Sequence, residues 1–289
     1  MAKRPATKAT SERELFFLCG GGGRVVLDLQ LLPTGGWRYC SPEFNLHVDP
    51  GPGALVKSVA HKLNNAKLDC IFVSHNHLDH VNDANAMIEA MTFSSKSFEE
   101  FKHWKKGTLV TSKSVLEGAK GEKQTFEKTI PDYFQNMCER VVPAKAGEKV
   151  EWKEKGAILK AVKAEHEDPT AIGFVLEHRG VKVGYTGDTQ MFPGLAEQFV
   201  GCAHWVVNCL RADSDKFPFH LCTDEVIELL QGMKKKPKVV VLSHLGKKFM
   251  LAGPGAQARK VEQTTGVHTL TANEGVRVDL AESPLSAFA

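Results

Sequence analysis

The chain has 289 residues, 42% apolar and 25% charged, with 37 basic and 34 acidic side chains giving a net charge of +3. Those fractions are those of a water-soluble globular protein long enough to bury a sizeable core. The near balance of charge argues for neither a polyanion-binding nor a membrane-surface protein, and no apolar run approaches a membrane span.

Seven cysteines (Cys19, Cys40, Cys70, Cys138, Cys202, Cys209, Cys222) form no CxxC pair, and several fall inside apolar runs. Such a set reads as reduced, buried thiols of a cytoplasmic protein and not as a disulfide framework. Residues 1–12 are rich in Lys, Arg, Ala and Thr without an apolar stretch. They are expected to form a flexible tail ahead of one domain spanning 13–289.

In chain order, Leu15–Cys19 reads as a strand, and Gly20–Gly23 as a turn with unusual dihedrals or close backbone approach. Arg24–Leu27 reads as a second strand, and Leu31–Tyr39 as a loop. Phe44–Asp49 is a short strand with Phe44, Leu46 and Val48 on one face, stopped by Pro50-Gly51-Pro52-Gly53. Asp49 at that stop either caps the turn or orients a ligand histidine, whereas His47 reads as structural. Leu55, Val59 and Leu63 give 54–65 a helical face.

Cys70-Ile71-Phe72-Val73 then reads as a buried strand, and it runs directly into Ser74-His75-Asn76-His77-Leu78-Asp79-His80. His75 and His77, two apart, share a face, and Asp79 and His80 can turn toward a second point. Imidazole and carboxylate are ligands for zinc, iron or manganese, and these are too many for one open tetrahedral ion. The spacing therefore predicts two neighbouring metals that draw further ligands from elsewhere.

A helix over 83–91, capped by Asn82 or Asp83, comes next. The stretch 94–129 mixes Lys with Glu around a strand at Thr108–Thr111, which reads more as a solvated surface than as a nucleic-acid face. Phe98, Phe101 and Trp104 have the spacing of a helix laid on the core or over a pocket mouth. Strands over 141–164 lead to His166, and a hairpin turning at His178-Arg179-Gly180 leads to Thr186-Gly187-Asp188. A helix over 223–232 comes after His220, and Val239–Leu242 delivers Ser243-His244. A helix over 257–265 and a closing strand pair within 267–280 complete the chain. Thus four strand ends carry metal-ligand side chains: His75/His77/Asp79/His80, His166, Asp188 and His244.

The segment His75-x-His77-x-Asp79-His80 resembles the His-x-His-x-Asp-His signature of the metallo-β-lactamase superfamily of hydrolases. The resemblance extends from about Leu15 to His244. It implies an α/β fold, an αββα sandwich of two facing mixed β-sheets flanked by helices with the site at one edge. It implies His75, His77 and His166 as ligands of a first metal. Asp79, His80 and His244 become ligands of a second, Asp188 the bridging carboxylate, and Asp49 the carboxylate orienting a ligand. Two divalent ions, zinc foremost with iron or manganese as alternatives, would share a hydroxide that attacks phosphorus or carbonyl carbon. Asp79 is counted with the catalytic groups on this account.

Gly173-Phe174 after His166, and Phe219-His220-Leu221-Cys222-Thr223 before a helix, resemble the ribonuclease Z-like and cyclic-nucleotide phosphodiesterase branch. There a histidine placed like His220 stands near the leaving group, so His220 becomes a candidate general acid or phosphate contact, with helix capping as its alternative. Asp83 replaces the glycine usual after the central motif, and the segment after His220 carries one extra residue. No long Gly/Lys arm for docking transfer RNA is evident. The expected substrate is therefore a small or short-nucleotide phosphodiester, with nucleic acid less supported, no membrane partner, and homo-oligomerisation left open. Lactones, thioesters or β-lactams are the carbonyl alternative, and a mononuclear iron dioxygenase is a third reading.

Overall fold

The computed structural model describes residues 13–93 and 106–280. Its strands begin with β1 (Glu14–Phe17), β2 (Trp37–Cys40), β3 (Leu46–Val48), β4 (Cys70–Val73) and β5 (Thr108–Thr111). A small hairpin, β6 (Ala119–Lys120) and β7 (Thr125–Phe126), precedes β8 (Arg140–Pro143) and β9 (Lys149–Trp152). Then come β10 (Ala157–Lys163), β11 (Ile172–His178), β12 (Val181–Tyr185) and β13 (His204–Arg211). The last are β14 (Leu221–Cys222), β15 (Val239–Ser243), β16 (His268–Thr271) and β17 (Arg277–Asp279).

Two mixed sheets result. One has the order β17-β1-β2-β3-β4-β5-β8 and the other β16-β15-β13-β12-β11-β10-β9, with β14 added beside β13. They are wired alike. From β17 and from β9 the first three pairings are antiparallel and the last three parallel. The change falls at β3 in one sheet and at β12 in the other. The strands after it need crossovers, and helices over 84–92 and 223–232 supply two of them, covering the outer faces.

β4 shows why its sequence is a continuous apolar run. Cys70 and Phe72 point between the sheets, while Ile71 and Val73 point outward to the helical layer with Met87 and Ile88. Both faces are covered, so no polar alternation survives. The inner layer is aromatic: Phe174 packs with ring centroids 4.8 Å from Phe72, 5.5 Å from Tyr185 and 6.0 Å from Trp37. The helix over 223–232 closes on Leu229, Leu230 and Val226 against Trp205 and Val207 on the far face of the second sheet.

Four local expectations change. Arg24–Asp28 is a short helix and not a strand. Only Val26 is buried there while Val25 faces solvent, so the β-branched pair finds no sheet to fill. The 31–39 loop contains β2, whose Trp37 and Tyr39 enter the core. The helix over Ala54–Ala60 buries Ala54 and Ser58, leaving Val59 exposed, and Asp83 Oδ2 accepts the Gly53 and Leu55 N–H groups at its start. β16 and β17 do not pair: one extends the second sheet from β15, the other the first sheet from β1. The helical face of Phe98, Phe101 and Trp104 lies outside the described residues, as do residues 1–12.

Phe174→Ala should lower unfolding stability by about 3–5 kcal/mol through the cavity left between the sheets, read as a reduced urea midpoint at unchanged m-value.

Candidate metal centre

All the strand ends singled out from the sequence meet at one edge of the sandwich. His75 Nε2 and His166 Nε2 stand 3.0 and 3.1 Å from His77 Nδ1. Asp188 Oδ2 lies 3.1 Å from His244 Nε2, 3.2 Å from His220 Nε2, 3.4 Å from His80 Nε2 and 3.9 Å from His75 Nε2. Asp79 Oδ2 is 3.1 Å from His244 Nε2 and 3.7 Å from His80 Nε2. The donor atoms fall into overlapping triads: His75/His77/His166, His75/His80/Asp188, Asp79/His80/His244 and His166/Asp188/His220.

The outer atoms of these groups are held by the surrounding protein. Asp49 Oδ1 accepts the Ser74 N–H at 2.7 Å. Its Oδ2 accepts the Ser74 hydroxyl at 2.7 Å, His80 Nδ1–H at 2.8 Å and the Tyr185 hydroxyl at 2.5 Å. Ser74 Oγ in turn accepts His75 Nδ1–H at 3.0 Å. His166 Nδ1–H donates to Phe219 O at 3.2 Å and His220 Nδ1–H to Pro218 O at 2.9 Å. In His75, His80 and His166 that bond fixes the tautomer whose remaining nitrogen presents a lone pair inward. Asn208 Nδ2 donates to Asp188 Oδ1 at 2.7 Å, so the carboxylate offers the centre its Oδ2. The helix-capping alternative for His220 disappears. The helix over 223–232 is capped by Cys222, whose N–H donates to Glu225 Oε2 at 3.0 Å.

Two backbone features serve this geometry. Asp49 and His244 both have left-handed φ, 48° and 58°, which a non-glycine residue adopts only where its surroundings impose it. The glycine run is a close approach as well as a turn: a Cβ on Gly22 would lie 2.0 Å from the His244 ring. Gly23 then donates its N–H to Asp79 Oδ2 at 2.7 Å.

Burial governs the electrostatics. Desolvation, reinforced by neighbouring rings, holds His75 well below the ordinary imidazole range. It also lowers His77 and pushes His166 down to about 3. Burial works against charge on His80 too, yet the carboxylates of Asp188, Asp79 and Asp49 outweigh it and raise its basicity. Asp79 and Asp188 undergo the same desolvation and are nonetheless held low, chiefly by His80 and His244. Three neutral imidazoles converging without a shared proton, beside carboxylates facing a buried His80 Nε2 that lacks a hydrogen-bond partner, form a donor set that suits divalent zinc, iron or manganese.

Sequence reasoning does not reach several supporting residues. Ser74, Tyr185 and Asn208 carry the hydrogen bonds just described. Asn208 is marked only as the lone amide in the buried run Trp205–Leu210. Asp168 binds the Asn76 N–H at 3.0 Å and the Ser114 hydroxyl, and on its other oxygen the Thr170 N–H at 2.9 Å. It thereby ties the His75–His77 segment to the loop carrying His166. The Asp-Pro-Thr turn is its signal. In contrast His47 is structural as expected, accepting Arg38 Nε–H at 3.1 Å and donating to Gly35 O at 3.0 Å.

The centre opens into a cleft of about 1010 Å³, lined by Arg24, Val25, Leu78, Lys123, Phe126 and Lys247 among others. A family model described as Beta-lactamase superfamily domain matches residues 44–245. The uncharacterized protein MJ1374 of Methanocaldococcus jannaschii is 34% identical over 267 residues, 92% of this chain and 95% of that one. Among solved structures, the metallo-β-lactamase fold protein YhfI of Bacillus subtilis superposes with a TM-score of 0.69 at 14% identity, covering 92% and 99% of the two chains. Zn(2+)-bound PqqB of Methylobacterium extorquens gives 0.67 at 14%, covering 92% and 100%. A diphosphatase of the PhnP family gives 0.59 at 14%, covering 92% and 97%. The two-sheet architecture and the matched segment agree: the chain belongs to the metallo-β-lactamase superfamily of hydrolases.

Proposed function

We propose that the chain is a phosphodiesterase of small or nucleotide-derived molecules, working with two divalent ions, zinc foremost. His75, His77 and His166 would hold the first ion, Asp79, His80 and His244 the second, and Asp188 Oδ2 would face both. When bound, such ions supply an activated water and Lewis acidity toward ester oxygens. The chain's own groups do the rest. Asp49, Ser74 and Asn208 keep the donors oriented, and the aromatic layer beneath excludes bulk water.

The observation that carries the phosphodiester reading is the composition of the cleft mouth around His220. His220 Nε2 reaches Asp188 Oδ2 at 3.2 Å while its side chain stays 14% accessible, against 4% or less for His75, His80 and His244. It stands where the ligand cluster meets the cleft. Burial disfavours its charge, but the Asp188 carboxylate outweighs that and raises its basicity, which suits a proton donor to a leaving oxygen. The cleft is lined by Arg24, Lys123, Arg211, Lys247 and Lys248, and also by Asp28, Glu127 and Glu167. Arg24 and Lys247 have no acidic partner among the described residues, leaving cationic charge to meet a phosphate. The similarity in fold to a PhnP-family diphosphatase supports the same reading. All seven cysteines are free, in keeping with a reducing cytoplasmic setting, and no helix among the described residues is long and apolar enough to cross a membrane.

A panel of phosphodiester, lactone, thioester and β-lactam substrates tests this reading, with turnover expected on the phosphodiesters and turnover confined to carbonyl esters refuting it. Elemental analysis should find about two transition-metal ions per chain; a single iron would favour dioxygenase chemistry instead. Asp188→Asn should cut kcat by at least about 10³-fold while leaving the thermal midpoint of the apo-protein near that of the parent, since the amide keeps the shape but not the charge. His220→Ala should slow esters of poor leaving groups by about 10²–10⁴-fold and activated aryl esters much less; equal losses on both would remove the acid role.

A further inference from the structure

Six imidazoles crowd the centre, and five have a partner for the nitrogen turned away from it. His75 uses Ser74, His80 uses Asp49, and His166 and His220 use main-chain carbonyls, while the Gln124 amide stands 3.0 Å from His77 Nε2. His244 is the exception. Its Nδ1 is buried and has no hydrogen-bond partner among the described residues. Among the other buried groups in that condition are the Trp37 indole N–H and the Thr34 hydroxyl. Thr34, Trp37 and His244 are only 3%, 2% and 4% exposed, so bulk solvent does not satisfy them.

The residues that carry them, Thr34, Trp37 and His244, line the same small cavity, walled also by Cys19, Tyr185 and Asn208, with a volume of about 20 Å³. A buried water needs roughly 10–15 Å³ and two to four polar partners. Two N–H donors and a hydroxyl make an apolar filling costly, because each unpaired buried donor costs about 1–3 kcal/mol.

We propose that this cavity is a built water site that supports His244. The water accepts from Trp37 Nε1–H and His244 Nδ1–H and donates to Thr34 Oγ1. Its two acceptor positions answer two donors that otherwise face no acceptor. The bond to Nδ1–H fixes the His244 tautomer, so that Nε2 keeps its lone pair for an ion held beside Asp79 and Asp188, whose oxygens lie 3.1 Å away. Trp37 and Thr34 are then positioning residues for His244, acting through the water and touching no substrate. His244 gains the support that Asp49 gives His80 directly. A fourth group on the same wall, His80 Nε2, faces Asp188 instead and belongs to the donor set already described.

Two measurements test the site. A high-resolution crystal structure of the zinc-loaded protein should show an ordered water within about 2.7–3.2 Å of all three atoms; a dry cavity, or His244 Nδ1 bonded to another group, overturns the proposal. Zinc affinity by chelator competition supplies the second readout, which rests on the reading that His244 holds an ion. Thr34→Val preserves shape and removes the hydroxyl, and Trp37→Phe removes the N–H. In each, one of the two Zn²⁺ dissociation constants should rise about 10–100-fold with the other unchanged, and Thr34→Ser should restore it. Unchanged affinities, or equal weakening of both ions, refute the positioning role. Because the crystallographic readout does not need the ions' role in hydrolysis, a hydrated cavity in a protein inactive on phosphodiesters leaves the water site standing and refutes only the substrate assignment.

Discussion

Three carboxylates buried together with no lysine or arginine against them set the terms for this molecule. Asp49, Asp79 and Asp188 meet only imidazoles, hydroxyls, amides and main-chain N–H groups among the described residues. Removing a carboxylate from water costs several kcal/mol unless positive charge or donors answer it. Imidazolium answers it in part, since the carboxylates raise the basicity of His80 and His220, but burial strips His75, His77 and His166 of theirs. Protonating the rings would also occupy the lone pairs that converge on the centre. Divalent cations meet the negative charge while leaving those donors free, which is why the donor set and the charge point to the same ligand.

The two sheets explain how so much charge reaches one place. In each, the central strand is the last of the antiparallel run and the first of the parallel run. Neighbours on its two sides leave in opposite directions, and a crevice opens beyond its carboxyl end, the place where open α/β sheets bind ligands. The residues there are Asp49 after β3, whose oxygens hold Ser74 and His80 in place, and Asp188 after β12, whose Oδ2 faces the centre; both are buried. The next parallel strands add His75 after β4 and, one strand further, His244 after β15. Tyr185 joins the halves: it ends β12 in one sheet and bonds Asp49 of the other. The core between the sheets thus bears directly on the separation of the two carboxylates.

Residues at strand ends are legible because the signal there is chemical and local. A run such as Cys70–Val73 admits few structures, and the residues just past its end stand at the sheet edge. Asp188 and His244 are readable for the same reason. Arg24–Asp28 misleads because its apolar pair satisfies strand propensity equally well, and only the arrival of Gly22 against His244 and of Gly23 on Asp79 bends the chain into a helical turn. The separate fates of β16 and β17 have no local signal at all, since two short strands near one another in sequence favour a hairpin until the edges of both sheets are known. Ser74, Tyr185 and Thr34 carry no pattern of their own; their importance comes from partners 25 or more residues away, or from a cavity that exists only once the sheets have packed.

That division also separates reaction class from substrate. The groups that would perform chemistry are rooted in strand ends and held by hydrogen bonds to Ser74, Asp49, Asn208 and a main-chain carbonyl, and so tolerate little change. The groups that would select a substrate stand on the short helix after Gly23, on the β6–β7 hairpin with Lys123 and Gln124, and on the helix beginning at Lys247. Of these, the side chains of Arg24, Val25, Lys123 and Lys247 line the cleft and are exposed, so they bear on no core. Val25 and Leu78, 49% and 60% exposed at that rim beside Arg24 and Lys247, give it apolar and cationic contacts side by side. On the proposed phosphodiesterase reading, the substrate's anion would meet those cations and its substituent the exposed apolar side chains.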